Sequence, residues 1–178
     1  MGQPAGPPAV AVATVPVVCP YVGGMLKPQT AAALNLSGHP IVWAQLPKGD
    51  LGAYGRFFRS LWSWGHTFII CEQDIVPTPE QLETITSCGH PWCSFSYDDG
   101  LYPDGPMFGL VRFDSVVMRA HPMAANADLI IGKRKDVEAE WWRVDSLVAR
   151  GLGIRGVPWY QHGPPVRHVH AGPPSGPP

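Results

Sequence analysis

The sequence predicts an α/β domain: a mostly parallel sheet with helices on both of its faces. Short apolar segments rich in β-branched residues alternate along the chain with segments whose apolar residues recur at helical spacing. Such alternation is typical of β-α-β units, in which each helix returns the chain to the same end of a parallel sheet. The 178 residues, 45% of them hydrophobic, are enough to bury one core.

Proline- and glycine-rich segments mark the predicted limits of this domain. Residues 1–8 (MGQPAGPP) and 171–178 (AGPPSGPP) have too few apolar side chains to join a core. We therefore expect two disordered tails around a single domain formed by residues 9–170.

The first β-α-β unit is predicted near the amino terminus. The apolar residues 10–18 form a first strand. Pro28 stands at a typical first helical position, and Gly38 ends the helix that follows it. Residues 41–45 then form a short second strand.

The second unit begins with a helix that has one broad apolar face. Asp50 is placed to cap this helix, and Gly65 ends it. Residues 67–71 form an apolar third strand, which stops at the polar residues 72–74. The apolar residues of the helix recur three and four positions apart: Tyr54, Phe57, Phe58, Leu61 and Trp62.

The next elements are a capped helix and two strands. Thr78 and Gln81 form a capping box with Pro79 at the first helical position, which predicts a helix to about residue 87. The strands, residues 91–97 and 108–113, flank a loop rich in glycine, aspartate and proline.

Charge and hydropathy exclude two classes of function. The formal net charge is −1, and the 13 lysines and arginines are scattered along the chain. A nucleic-acid-binding protein needs a basic face, so we expect no nucleic-acid partner. No apolar run approaches the roughly 20 residues of a membrane-spanning helix, so we expect no membrane span.

The four cysteines are expected to be free thiols in a reducing cytoplasm. Cys71 lies within an apolar strand, where a thiol behaves as a small hydrophobe. Cys88, His90 and Cys93 resemble half of a zinc site, but no second pair of ligands follows at a matching spacing.

The exit of the third strand is the most informative part of the sequence. If the segment stays extended, Glu72 and Asp74 point to one side and Gln73 to the other. Neighbouring carboxylates repel unless one is protonated or a cation lies between them. Mg²⁺ or Mn²⁺ would suit such oxygen ligands. The alternative is that Asp74 only turns the chain before Pro77.

The order of these features resembles the nucleotide-sugar glycosyltransferases of the GT-A fold, in particular the family-2-like group. The segments concerned are the first strand running into Cys-Pro-Tyr, the helix GAYGRFFRSLWSWG, the exit FIICEQDI and the late segment WWRVDSLVARGLGIRGVPWYQHGPPVRHVH. The short members from bacteriophages and actinobacteria are the most similar. The resemblance covers roughly residues 9–170 and implies a GT-A-like domain.

The resemblance implies a role for several residues in binding the donor. Tyr21 would stack on the nucleotide base, and Arg56 and Arg59 would reach the diphosphate. Glu72, where the family has aspartate, would bind the ribose or support the metal site. Asp74 would bind the metal ion directly.

A late histidine completes the metal site in this family. His168 is the preferred candidate over His170, because it follows the Gly-Pro-Pro turn at residues 163–165 much as the family's histidine follows its last strand, and His162 is third. The alternative is a histidine-rich tail without a function.

Asp145 is the predicted catalytic base. It lies on a last helix, predicted to begin at Asp136 and end at Gly151, and shares a face with Glu138 and Trp142. A carboxylate beside a tryptophan can have a raised pKa and deprotonate an acceptor hydroxyl. The alternatives are an exposed acidic face, or Glu140 or Glu138 as the base.

The sequence therefore predicts a metal-dependent glycosyltransferase. It would move a sugar from a nucleotide diphosphate donor to a hydroxyl of a glycan or protein, with inversion implied by the resemblance. It would act in the cytoplasm, or in the host cytoplasm if a phage encodes it. The alternatives are a non-catalytic nucleotide-sugar-binding relative and a nucleotidyltransferase.

Overall fold

The computed structural model of the protein describes residues 15–50, 52–98, 106–122 and 141–169, with side chains from residue 144 in the last range. Seven strands form a single mixed sheet in the order β2-β1-β3-β6-β5-β7-β4. The strands are β1 (Val17–Val22), β2 (Ile41–Leu46), β3 (Phe68–Cys71), β4 (Ile75–Val76), β5 (Trp92–Tyr97), β6 (Leu110–Phe113) and β7 (Trp159–His168).

Five helices accompany the sheet in the described residues. They are α1 (Pro28–Leu36), α2 (Ala53–Trp64), α3 (Pro79–Thr86), α4 (Ser115–Ala120) and α5 (Trp141–Ile154). None of them combines the length and the apolar character needed to cross a membrane.

The predicted mostly parallel sheet is only partly confirmed. β1 pairs in parallel with β2 and β3, and β5 with β7, but β6 is antiparallel to both β3 and β5, and β4 is antiparallel to β7. The reversal follows from the sequence between β5 and β6, which has the turn residues glycine, aspartate and proline. Such residues favour a turn, and strands that a turn joins pair antiparallel.

Helices cover both faces of the sheet, as the alternation of elements predicted. Successive residues of β3 belong to different apolar clusters: Phe68 and Ile70 pack in one, Ile69 and Cys71 in the other. The first cluster also contains side chains of α2, α4 and α5, and the second those of α1 and α3. A strand buried on both faces needs a continuous apolar run, and FIIC provides one.

Several predicted boundaries are correct and others are shifted. Thr78 and Gln81 form the capping box, with Pro79 as the first residue of α3. Gly65 ends α2 in a left-handed conformation at φ 67°. The cap of α2 is Gly52 and not Asp50, although the Asp50 carboxylate accepts a hydrogen bond from the Gly52 amide.

β1 and α5 extend beyond their predicted ends. β1 begins at Val17 and continues through Pro20 to Val22. Beyond Val18 it pairs only with β2. The missing amide hydrogen of Pro20 therefore leaves no β3 partner unsatisfied. α5 continues through Gly151 to Ile154. Its predicted cap, Asp136, and residues 10–14 of the predicted first strand lie outside the described residues.

Candidate functional site

The acidic exit of β3 is a turn and not the extended segment that the sequence suggested. The Ile75 amide donates to the Glu72 carbonyl at 3.1 Å, which closes a turn over residues 72–75. The Glu72 amide donates to the Gly109 carbonyl at 2.9 Å and so remains attached to the segment before β6. The turn therefore directs the carboxylates of Glu72 and Asp74 toward different neighbours.

Asp74 lies close to His168, and these are the two residues that the sequence analysis named as metal ligands. β4 follows directly after the turn and pairs with the end of β7, with Ile75 opposite His168. The Val169 amide donates to the Asp74 carbonyl at 2.8 Å. This pairing places the Nε2 atom of His168 3.5 Å from the Oδ2 atom of Asp74. Both side chains are partly accessible to solvent.

Asp98 adds a third carboxylate to this end of the sheet. It follows β5, and its Oδ1 atom accepts a hydrogen bond of 2.9 Å from the His168 amide. The ring of Tyr97 lies 4.7 Å from the His168 ring, between centroids. No pattern in the sequence pointed to Asp98, because its position depends on the pairing of β5 with β7.

Glu72 is buried and contacts α2. The Tyr54 hydroxyl donates to its Oε1 atom at 2.9 Å. Burial and the charge of Glu72 together raise the pKa of Tyr54 well above its ordinary value, so the phenol stays protonated and donates. Tyr54 was predicted only as an apolar residue of α2, since periodicity does not show where a hydroxyl points.

Gln73 does not point away from the site into solvent. Its side-chain oxygen accepts a hydrogen bond of 2.8 Å from the Val22 amide at the end of β1. Its backbone carbonyl accepts one of 2.9 Å from the Lys27 amide, which precedes α1. The middle residue of Glu-x-Asp therefore attaches the acidic turn to the loop after β1.

Asp145 is buried and lies close enough to Glu72 for their charges to interact. Its Oδ2 atom accepts a hydrogen bond of 3.1 Å from the Phe108 amide. Its buried Oδ1 atom has no hydrogen-bond partner among the described residues. Burial raises the pKa of Asp145 well above its ordinary value, and the charge of Glu72 raises it further. The predicted base thus lies beside the acidic turn, and not on an exposed helix face.

A cavity of about 110 Å³ opens next to Tyr54. Its walls come from the end of β1, the segment after β2 and the start of α2, with Val22, Pro47, Asp50 and Tyr54 among the lining residues. In open α/β sheets this is where ligands bind, beyond the carboxyl ends of the strands.

Two predicted donor-binding residues lie at the rim of this region. Tyr21 precedes Val22, and its ring packs edge-on against Trp43 of β2 with centroids 6.5 Å apart. Arg56 forms an ion pair with Asp50, and more than half of its side chain is exposed.

The structure does not bring Arg59 to the same place. Arg59 lines a separate cavity of about 450 Å³ together with Trp62, Gly65 and Arg119. This cavity is at the carboxyl end of α2, whereas the acidic turn contacts Tyr54 near its amino end. In this structure Arg56 and Arg59 therefore contact different regions.

Of the alternative candidates for the metal-binding histidine and for the base, the structure describes His162. His162 is in the middle of β7, where its ring stacks on Phe95, and it does not meet Asp74. His170, Glu138 and Glu140 lie outside the described residues, as does the side chain of Trp142.

Comparisons with known proteins point to a fold. No model of a known protein family matches the sequence, and no curated protein matches it. A solved structure described as a glycosyltransferase involved in the glycosylation of the major capsid of PBCV-1 has a similar fold. The similarity has a TM-score of 0.55 at 8% sequence identity and covers 85% of this chain and 83% of that chain. The chain therefore shares a glycosyltransferase-like fold.

Proposed function

We propose that this protein is a glycosyltransferase that moves a sugar from a nucleotide diphosphate donor to an acceptor hydroxyl. The observation that carries the proposal is the meeting of Asp74 with His168 beyond the carboxyl ends of β3 and β7. Tyr54 connects the cavity to the acidic turn, because it lines the cavity and donates to Glu72, two residues before Asp74. The fold shared with a glycosyltransferase supports the same assignment.

The residues at this end of the sheet fit a divalent cation. Asp74 supplies a carboxylate oxygen and His168 an imidazole nitrogen, and their separation of 3.5 Å suits two ligands of one ion. Carboxylates suit Mg²⁺ and Mn²⁺ alike, and the imidazole favours Mn²⁺. A bound cation would offset the negative charge of the leaving diphosphate.

The cavity beside Tyr54 is the proposed binding site for the nucleoside. Tyr21 would stack on the base at its rim. Glu72, held by Tyr54, would accept a hydrogen bond from the ribose. Arg56 would exchange its exposed partner Asp50 for a phosphate oxygen, since surface ion pairs are weak and a guanidinium binds phosphate in a bidentate manner.

Asp145 is the proposed base. Its hydrogen bond from the Phe108 amide fixes one carboxylate oxygen and leaves Oδ1 to receive a proton. The acceptor oxygen would bond to the anomeric carbon as the bond from that carbon to the diphosphate breaks. The acceptor proton would pass to Asp145. The raised pKa makes this carboxylate a stronger base than one in water.

The proposal is tested first by cation-dependent donor binding. Melting temperatures of the wild type would be measured with a panel of nucleoside diphosphates and nucleotide sugars, each with and without Mn²⁺. A ligand at one hundred times its Kd stabilises by about 2.7 kcal/mol, or roughly 5–10 °C in a protein of this size. Asp74→Asn should remove the Mn²⁺-dependent part of the shift, and His168→Gln should reduce it.

The matched control is Glu83→Gln, which removes one carboxylate charge from the exposed face of α3. It should keep the full shift. Equal Mn²⁺-dependent shifts in Asp74→Asn and in the control would refute the cation site. A protein that binds a nucleotide sugar but neither transfers nor hydrolyses it would be a binding module and not an enzyme.

A further inference from the structure

A second group of metal-ligating side chains lies away from the proposed donor site. Cys88 follows α3, Cys93 is the second residue of β5, and His162 lies in the middle of β7. Their ligand atoms all lie within 4.8 Å of one another. The pairing of β5 with β7 brings them together, because it sets Cys93 opposite Tyr160 and Phe95 opposite His162.

The sequence suggested half of this arrangement. The segment from Cys88 to Cys93 has the spacing of one half of a zinc site, but no second pair of ligands follows it in the sequence. The structure supplies the missing ligand from a strand almost seventy positions further along the chain.

The local polar contacts favour a ligand at this position. Cys88 and Cys93 are both buried and are not joined by a disulfide. The Nε2 atom of His162 is buried and has no hydrogen-bond partner among the described residues. A buried polar atom without a partner is unfavourable, and a metal–nitrogen bond would supply the missing partner.

We propose that Cys88, Cys93 and His162 bind a zinc ion. Two sulfur atoms and one imidazole nitrogen are the ligands that Zn²⁺ prefers, whereas Mg²⁺ and Ca²⁺ prefer oxygen. The fourth position of a tetrahedral site would be filled by solvent or by His90, whose exposed ring stacks on Tyr160 at 4.0 Å. On binding, each thiol releases its proton to solvent and each sulfur donates an electron pair.

The role of this site is structural. It joins the end of α3, the start of β5 and the middle of β7, so its binding free energy adds to the stability of the fold. His162 and His168 belong to the same strand, and the zinc would therefore help to hold the strand that carries the proposed cation ligand. The inference does not depend on the proposed transferase activity.

The test is the metal content of the whole protein. Protein purified from zinc-supplemented cells would be analysed by native mass spectrometry and by a colorimetric zinc assay after denaturation. We expect one zinc per chain. Replacement by Co²⁺ should give the near-ultraviolet charge-transfer bands of cobalt–thiolate bonds. Chelation should lower the melting temperature, and zinc but not Mg²⁺ should restore it.

Cys88→Ser, Cys93→Ser and His162→Gln should each lose the zinc. The matched control is Cys19→Ser, since Cys19 is buried in the same apolar cluster as Cys88 and Cys93. It should keep the metal. If a variant does not fold, the Co²⁺ titration of the wild type still decides the question. Wild-type protein with no zinc and no cobalt–thiolate bands would overturn the proposal, as would a mass showing a Cys88–Cys93 disulfide.

Discussion

The surroundings of the Asp145 carboxyl group disfavour its ionised form. It is buried, it lies near Glu72, and its pKa is raised well above that of an aspartate in an unfolded chain. At a pH between the pKa of Asp145 in the unfolded chain and its higher pKa in the folded protein, the folded protein holds a proton that the unfolded chain has released. Stability therefore falls as the pH rises through that window, and the loss persists at neutral pH.

Asp145→Asn is thus expected to raise the melting temperature at pH 7 while it removes sugar transfer. Asparagine can still accept the hydrogen bond from the Phe108 amide. The stabilisation should shrink as the pH falls toward the ordinary pKa of aspartate. Donor affinity should remain, whereas loss of a general base typically costs about 10²–10⁴ in rate. Calorimetric melts across a pH series, with a transfer assay, provide the measurement. A variant less stable than the wild type at neutral pH would contradict the prediction.

The sequence predicted the acidic and imidazole side chains of the site better than their polar partners. Glu72 and Asp74 follow the buried apolar strand β3, and charged residues at such a position are visible in a sequence. His168 was named from the family resemblance. Tyr54 and Asp98 were missed, because a tyrosine on an apolar helix face and an aspartate in a turn are common. Only the packing of one element on another shows that they reach the site.

At the scale of elements, Gln81 joins α3 to β7. Its backbone amide and side chain form the capping box with Thr78, and its side-chain nitrogen also donates to the carbonyls of Pro164 and Pro165. These prolines lie where the pairing between β5 and β7 shifts its register. The buried side chain of Gln81 therefore satisfies carbonyl groups of a strand that ends at His168.

Gln81→Ala and Thr78→Ala form a matched pair of variants. Each removes one of the two hydrogen bonds of the capping box. Thr78→Ala removes the acceptor of the Gln81 amide, which costs about 1 kcal/mol, and Gln81→Ala removes the acceptor of the Thr78 amide. Only Gln81→Ala also removes the hydrogen bonds to β7, so we expect it to cost about 1–2 kcal/mol more and to weaken Mn²⁺-dependent donor binding. Urea denaturation and the thermal-shift assay with Mn²⁺ measure the two effects. Equal losses in the two variants would show that the contact with β7 contributes nothing.

Elements with strong local signals were predicted and short ones were not. The capping box of α3 and the glycine that ends α2 are determined by neighbouring residues, so the sequence shows them directly. β4 has only two residues and α4 only six, too few for periodicity to be visible. Yet β4 is the element that sets Asp74 opposite the end of β7.

At the scale of the whole molecule, burial is concentrated in the middle of the sheet. Every residue of β3 and β6 is buried, whereas β2 forms one edge and exposes Val42 and Trp43. Amides in the central strands should therefore exchange with solvent only on global unfolding, and those of β2 through local opening. Hydrogen exchange followed by mass spectrometry should show β3 and β6 as the slowest segments. Faster exchange in β3 than in β2 would contradict this order.

The antiparallel strands β4 and β6 are the main departure from the predicted sheet at this scale. The predicted alternation of strands and helices holds as far as β3, and then β4 and β6 interrupt it. Neither strand is preceded by a helix in the described residues, and a strand that follows a turn reverses direction. Helical crossovers, rather than strand composition, therefore decide which parts of such a sheet are parallel.

The position of Gln73 also restricts how this protein can be altered. Motifs of the Glu-x-Asp kind leave the middle residue unspecified, which implies that any residue is acceptable there. Here the side-chain oxygen of Gln73 accepts a hydrogen bond from the Val22 amide, and its backbone carbonyl accepts one from the Lys27 amide. The middle residue therefore holds the loop after β1 in place and is not a spacer. A library of variants at this position would change the shape of the pocket.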